Sequence, residues 1–120
     1  MKVKIIVAII ALLALFTVCY SAEIYPSAEK TADASIKTGA GTYGGMIVIT
    51  DGANACTVKV YDNTTNSGRV LDDGTCPGYV VSGQANTCKG LFPWPISYEN
   101  GVYADFTTSG TCTYIIFTSK

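Results

Sequence analysis

Between Gly45 and Asn63 the chain carries two β-branched runs, Met46-Ile47-Val48-Ile49-Thr50 and Cys56-Thr57-Val58-Lys59-Val60-Tyr61, on either side of the small polar stretch Asp51-Gly52-Ala53-Asn54. Branched and aromatic side chains fit a pleated, half-buried backbone, and Asp and Gly reverse it, so the stretch reads as two antiparallel strands joined by a short loop. In the second run Cys56, Val58 and Val60 point one way and Thr57, Lys59 and Tyr61 the other, because side chains alternate across a strand. One face is built for a core and the other for water.

The same pattern recurs along the chain. Ala34–Thr38, Tyr43–Thr50, Ala55–Asp62, Arg69–Leu71, Val102–Thr107 and Thr111–Thr118 read as short strands, with Val102, Ala104 and Phe106 inward. Phe92-Pro93-Trp94-Pro95 is extended, since each proline biases its predecessor away from helix. Glu99-Asn100-Gly101 carries the Asn-Gly hairpin signal, and Tyr79-Val80-Val81 could add a small strand. Glu23–Asp33 is polar, contains Pro26 and reads as an extended arm. No stretch after residue 22 has helical periodicity. Seven or eight short strands with Gly, Asn and Asp turns predict an all-β fold, a two-sheet antiparallel β-sandwich of immunoglobulin-like or jelly-roll type.

Residues 1–22 read as a signal peptide. Lys2 and Lys4 precede the apolar run Ile5–Val18, which is shorter than the roughly 20 residues a membrane span needs. The expected division is therefore a signal peptide at 1–22, an arm at 23–33 and a sandwich domain at 34–120, without stable membrane insertion after cleavage. Beyond residue 22, six basic side chains stand against nine acidic ones, a formal charge of −3, and no basic patch offers itself to nucleic acid. Four cysteines remain there, Cys56, Cys76, Cys88 and Cys112, an even number that fits disulfides in an oxidising compartment, so the chain is expected to be secreted: periplasmic, cell-surface or extracellular. Three pairings are possible. Cys76–Cys88, closing a Gly-rich excursion, and Cys56–Cys112, tying an early strand to the last, are favoured; each is worth about 3 to 4 kcal/mol on the loop-entropy model.

Catalytic chemistry is hard to place in this sequence. It has no histidine, which removes the common general base and the usual nucleophilic triads, and no Cys-x-x-Cys pair of the kind zinc sites use. Asp51, Asp62, Asp72, Asp73, Glu99 and Asp105 occupy positions suited to turn carboxylates, and Asp62-Asn63 and Asp72-Asp73-Gly74 could offer oxygen ligands to calcium without forming a recognisable loop motif. The expectation is no enzyme, no cofactor and no metal. Asn63-Thr64-Thr65 is a glycosylation sequon in a eukaryotic host and a turn otherwise.

The segments 44–52 (GGMIVITDG), 56–64 (CTVKVYDNT), 67–71 (SGRVL) and 95–105 (PISYENGVYAD) resemble those of small immunoglobulin-like or jelly-roll β-sandwich proteins encoded by bacteriophages and bacteria, a group of unsettled function. The resemblance extends over most of residues 34–118 and rests on strand and turn chemistry. It implies the fold, and the added cysteine-bounded excursion and signal peptide imply an exported adaptation.

Two features bear on function. Tyr114-Ile115-Ile116-Phe117 and Met46-Ile47-Val48-Ile49 are apolar at both parities, although one face of a sandwich strand suffices for the core. Either the chain covers the second face itself, or Val48, Ile115 and Phe117 meet a second copy or another surface protein, with a sheet edge accepting a neighbour's arm. Trp94, Phe92, Tyr98 and Tyr103 are the second feature: either Trp94 and Phe92 fill one end of the core, or the four present rings to a sugar or a protein. The function expected is a non-catalytic structural or adhesive subunit that self-associates, with a secreted carbohydrate- or protein-binding module as the alternative.

Overall fold

A computed structural model describes residues 23–78 and 85–120; the signal peptide expected at 1–22 and the strand expected at 79–81 lie outside the described residues. Nine strands are described: β1 Ile24–Pro26, β2 Ala34–Thr38, β3 Gly41–Thr50, β4 Cys56–Asp62, β5 Arg69–Cys76, β6 Asn86–Cys88, β7 Leu91–Tyr98, β8 Gly101–Thr108 and β9 Cys112–Ser119. They form two antiparallel sheets packed as a β-sandwich. The five-stranded sheet runs β1-β9-β3-β6 with β7 also paired to β3, and the four-stranded sheet runs β2-β8-β4-β5.

The first reading to be corrected is the hairpin at Gly45–Asn63. β3 pairs with β9, β6 and β7, whereas β4 pairs with β5 and β8, so the Asp51–Asn54 turn is an arch from one sheet to the other. The Asn100-Gly101 turn is an arch too, carrying the chain from β7 in the five-stranded sheet to β8 in the four-stranded one. Burial explains both: an arch sets the apolar faces of successive strands opposite one another, so that Met46 and Val48 meet Val58 and Val60 in a single core, where a flat hairpin would leave both faces on one side.

β4 alternates buried and half-buried along its whole length, as its pattern predicts, with Cys56, Val58 and Val60 inward. β5 is longer than expected. Asp72-Asp73-Gly74 continues the ladder, because β4 supplies partners from Asp62↔Arg69 to Cys56↔Cys76. Its buried carboxylate is satisfied: Asp72 accepts a 2.9 Å hydrogen bond from the Tyr43 hydroxyl of the opposite sheet and a 2.8 Å ion pair from Lys89.

Both favoured disulfides are present, and each joins the two sheets: Cys56–Cys112 links β4 to β9, and Cys76–Cys88 links β5 to β6. The arm is docked on its own molecule. β1 pairs with Phe117–Ser119 of β9, Ser27 and Lys30 donate to the Ile116 and Tyr114 carbonyls, and the Tyr114 hydroxyl donates to Ala32. The arm expected to reach a neighbour's sheet edge is therefore paired in cis, along β9.

Candidate functional site

The Cys56–Cys112 bond determines which side of β9 faces inward. Cys56 lies on the buried face of β4, so its partner Cys112 points into the sandwich, and alternation then buries Tyr114, Ile116 and Thr118. Register transmits this parity to β3, where Thr50↔Cys112, Val48↔Tyr114 and Met46↔Ile116 are direct partners and share the inner face. Val48 is fully buried. The expectation that it belongs to a contact surface is thus corrected: Ile115 and Phe117 stand half-buried on the outer face, and their neighbours there are Ile47 and Ile49. Both parities of β3 are apolar, so sequence alternation could not distinguish Val48 from Ile47.

The outer face of the five-stranded sheet is built in rows. Pro26, Phe117, Gly45 and Leu91 are register partners across four strands, Ile115 pairs with Ile47, and Thr113, Ile49 and Thr87 follow. Gly45 lacks a side chain for a local reason: its φ is 124°, and a Cβ there would run into the Gly90 carbonyl. Leu91 at the flank of this strip is 58% exposed.

The opposite outer face, on the four-stranded sheet, has different chemistry. Thr107, Thr57 and Thr75 form one row, with a 2.9 Å hydroxyl contact between the last two; Asp105, Lys59 and Asp73 form the next, and Tyr103, Tyr61 and Val70 the third. Lys59 sits 5.6 Å over the Tyr61 ring.

The four aromatic candidates are not brought together. Tyr98 is in the core, and burial raises the pKa of its hydroxyl. Tyr103 lies on the four-stranded sheet, and Phe92 packs edge-on against Tyr43 at 5.7 Å. Trp94 is 84% exposed, so it fills no part of the core. The register of β7 explains this. Between Tyr43↔Ile96 and Gly45↔Leu91, β3 advances two residues while β7 advances five, so Phe92–Pro95 bulges from the ladder. Pro93 and Pro95 have no N–H to lose by leaving it, and Trp94 stands between them at the crest.

The carboxylates serve the scaffold. Asp51 takes the backbone N–H groups of Ala53 and Asn54 at 2.9 Å each, an Asx turn whose hydrogen bonds, led by the Asn54 side chain, lower its pKa. Asp62 is buried; burial alone would raise its pKa, but donors from Asn100, Arg69 and Glu99 outweigh burial and hold it below the ordinary carboxylate value. Asp62 thereby pins the Glu99-Asn100 arch to β4. Among the described residues no three His, Cys, Asp or Glu side chains are grouped to hold a metal ion.

One concavity lies where two elements part. β2 pairs with β8 only from Gly101 to Ala104, and the arm passes beside the rest of that strand, leaving an open groove of about 480 Å³ between Thr31–Asp33 and Phe106–Thr108. Asp33 caps the strand by accepting the Phe106 N–H at 2.7 Å.

Two disulfides suit an oxidising, extracellular environment. Among the described residues no helix is long and apolar enough to cross a membrane. In comparisons with known proteins, the chain matches no family model, no curated protein and no solved structure, so its geometry carries the functional argument alone.

Proposed function

We propose that this chain is an exported, non-catalytic structural or adhesive subunit of a surface or extracellular assembly, acting by self-association and needing no cofactor. A single observation carries the reading: Ile47, Ile49, Ile115 and Phe117 lie together on the outer face of the five-stranded sheet, with exposed Leu91 at its flank. A sheet whose second face meets only water is expected to alternate to polar residues there, as the other sheet does. Disulfides that tie the sheets together fit a subunit that must endure outside the cell. Light scattering after size exclusion tests the reading: the wild-type protein is expected to run as an oligomer, and Ile115→Lys with Phe117→Lys as a folded monomer. A wild-type monomer at high concentration would remove it.

The second reading, a secreted carbohydrate- or protein-binding module, is favoured by the exposure of Trp94. In that case oligosaccharide or a protein partner quenches or blue-shifts its emission while the protein stays monomeric.

A further inference from the structure

The outer face of the five-stranded sheet is uneven along β3 and β9. Ile47↔Ile115 is its middle row. Two residues to one side, Phe117 stands half-buried beside Gly45, which has no side chain. On the other side the face sinks into an open, apolar dimple of about 130 Å³. Ile49, Asp51, Thr111 and Thr113 line it with their outward parity, and Thr50 and Cys112 lie beneath. Both Asp51 carboxylate oxygens are engaged within its own turn, one by the Ala53 and Asn54 N–H groups and the other by the Asn54 side chain. A ring and a hollow thus lie on one pair of strands, to either side of Ile47 and Ile115.

We propose that this face packs on the same face of a second copy about a two-fold axis crossing β3 and β9 at Ile47 and Ile115, so that Phe117 of each copy seats in the Ile49/Thr113 dimple of the other. This rests on the reading of the chain as a self-associating subunit, and it specifies the contact and its stoichiometry. An axis running across the strands exchanges their two ends and brings each ring over the partner's dimple; an axis along the strands would leave both dimples unfilled. Size agrees, since the dimple is close to the cavity of about 150 Å³ that takes up a benzene ring. Charge selects the occupant. The rows from Gly45↔Phe117 to Ile49↔Thr113 hold no ionisable side chain, while the chain beyond residue 22 is net negative. A charged partner finds nothing there to pair with and a sugar finds few hydrogen-bonding groups, whereas a second copy supplies an equally uncharged apolar face together with the ring that fits. Four strands abreast at about 4.8 Å and seven residues from Gly45 to Asp51 at about 3.4 Å give a footprint of about 450 Å² per copy. The pair buries on the order of 1,000 Å², the lower end of specific interfaces, so the dimer forms as concentration rises. Because one patch serves both copies, the contact is isologous and closes at two; the dimer is then the unit from which any larger assembly is built, through another surface.

Sedimentation equilibrium of the oxidised protein is expected to show a monomer–dimer equilibrium with no larger species. Phe117→Ala removes the ring and should weaken the dimer about thirtyfold or more, the size of a hot-spot loss. Thr113→Arg fills the dimple and should do the same with the ring intact. Both sites are half-buried on the outer face, and thermal melts check that the variants fold. Should either melt early, Phe117→Leu and Ile49→Arg probe the same ring and dimple. An equimolar mixture of the two variants decides the geometry. A mixed dimer keeps one ring in one dimple and sets the filled dimple against the missing ring, so it should form about tenfold more tightly than either variant does alone. If Phe117→Ala and Thr113→Arg dimerise like the wild type, or the mixture is no tighter than its components, the contact is wrong. If Ile115→Lys disperses the wild-type oligomer while those two variants leave it intact, the apolar-face reading stands and this geometry falls. Wild-type species larger than a dimer that Ile115→Lys disperses overturn the two-fold closure, and a wild-type monomer at every concentration overturns both.

Discussion

The two outward faces of this sandwich come from the same chain and cover the same core, yet they are built for different surroundings. On the four-stranded sheet, threonines, an Asp-Lys-Asp row and a tyrosine pair put hydroxyls and charges across neighbouring strands, the arrangement that holds a sheet facing water. On the five-stranded sheet the equivalent positions of β3 and β9 are Ile47, Ile49, Ile115 and Phe117. Inward chemistry is set by the core and is alike in both sheets; outward chemistry has no such constraint. Its departure from polar alternation on β3 and β9 is the observation on which the proposed self-association rests.

The strongest way to break this comparison is to part the sheets, because both disulfides bridge them. Cys56→Ala with Cys112→Ala opens a separation of 56 residues and is expected to lower unfolding free energy by about 4 kcal/mol, against about 3 kcal/mol for Cys76→Ala with Cys88→Ala across 12, read as urea midpoints. Next comes the contrast within β9. Ile116→Ala, inside, should cost about 2 to 5 kcal/mol, and Ile115→Ala, outside, about 1 kcal/mol or less in the monomer. Near-equal losses would mean that the outer residue is covered by its own chain. A third measurement compares the faces themselves: Ile115→Lys should raise the dissociation constant of the assembly at least about tenfold, about 1.4 kcal/mol, while Thr57→Lys on the other sheet leaves it unchanged.

The smallest effect concerns the arch that carries the chain between sheets. Asp62 has a folded pKa below its unfolded value of about 3.9, so its contribution to stability is fully present above that pH and is lost as pH falls through the folded value. Acid melts should therefore show a loss of stability below about pH 4 that Asp62→Asn reduces. An unchanged acid limb in that variant would show that Asp62 does not hold the arch.

The positions of β2, β3, β4, β8 and β9 and the inward sets of β4 and β8 were legible in the sequence because alternation is a local, period-two property, and Val58, Lys59 and Val60 declare it without reference to any neighbour. The pairing of Cys76 with Cys88 and Cys56 with Cys112 was legible as the favoured choice among three, from loop closure and strand position. Sheet membership was not. Asp51-Gly52 and Asn100-Gly101 turn the chain equally well into a hairpin or an arch, and only the mutual burial of two apolar faces selects the arch. Tertiary register likewise decided that Val48 is core and Ile47 surface, by carrying the inward direction of Cys112 across from β9, and that Trp94 rides a bulge outside the ladder rather than filling the sandwich. Local periodicity fixes which residues can share a side; which side becomes the interior depends on contacts between strands far apart in the chain.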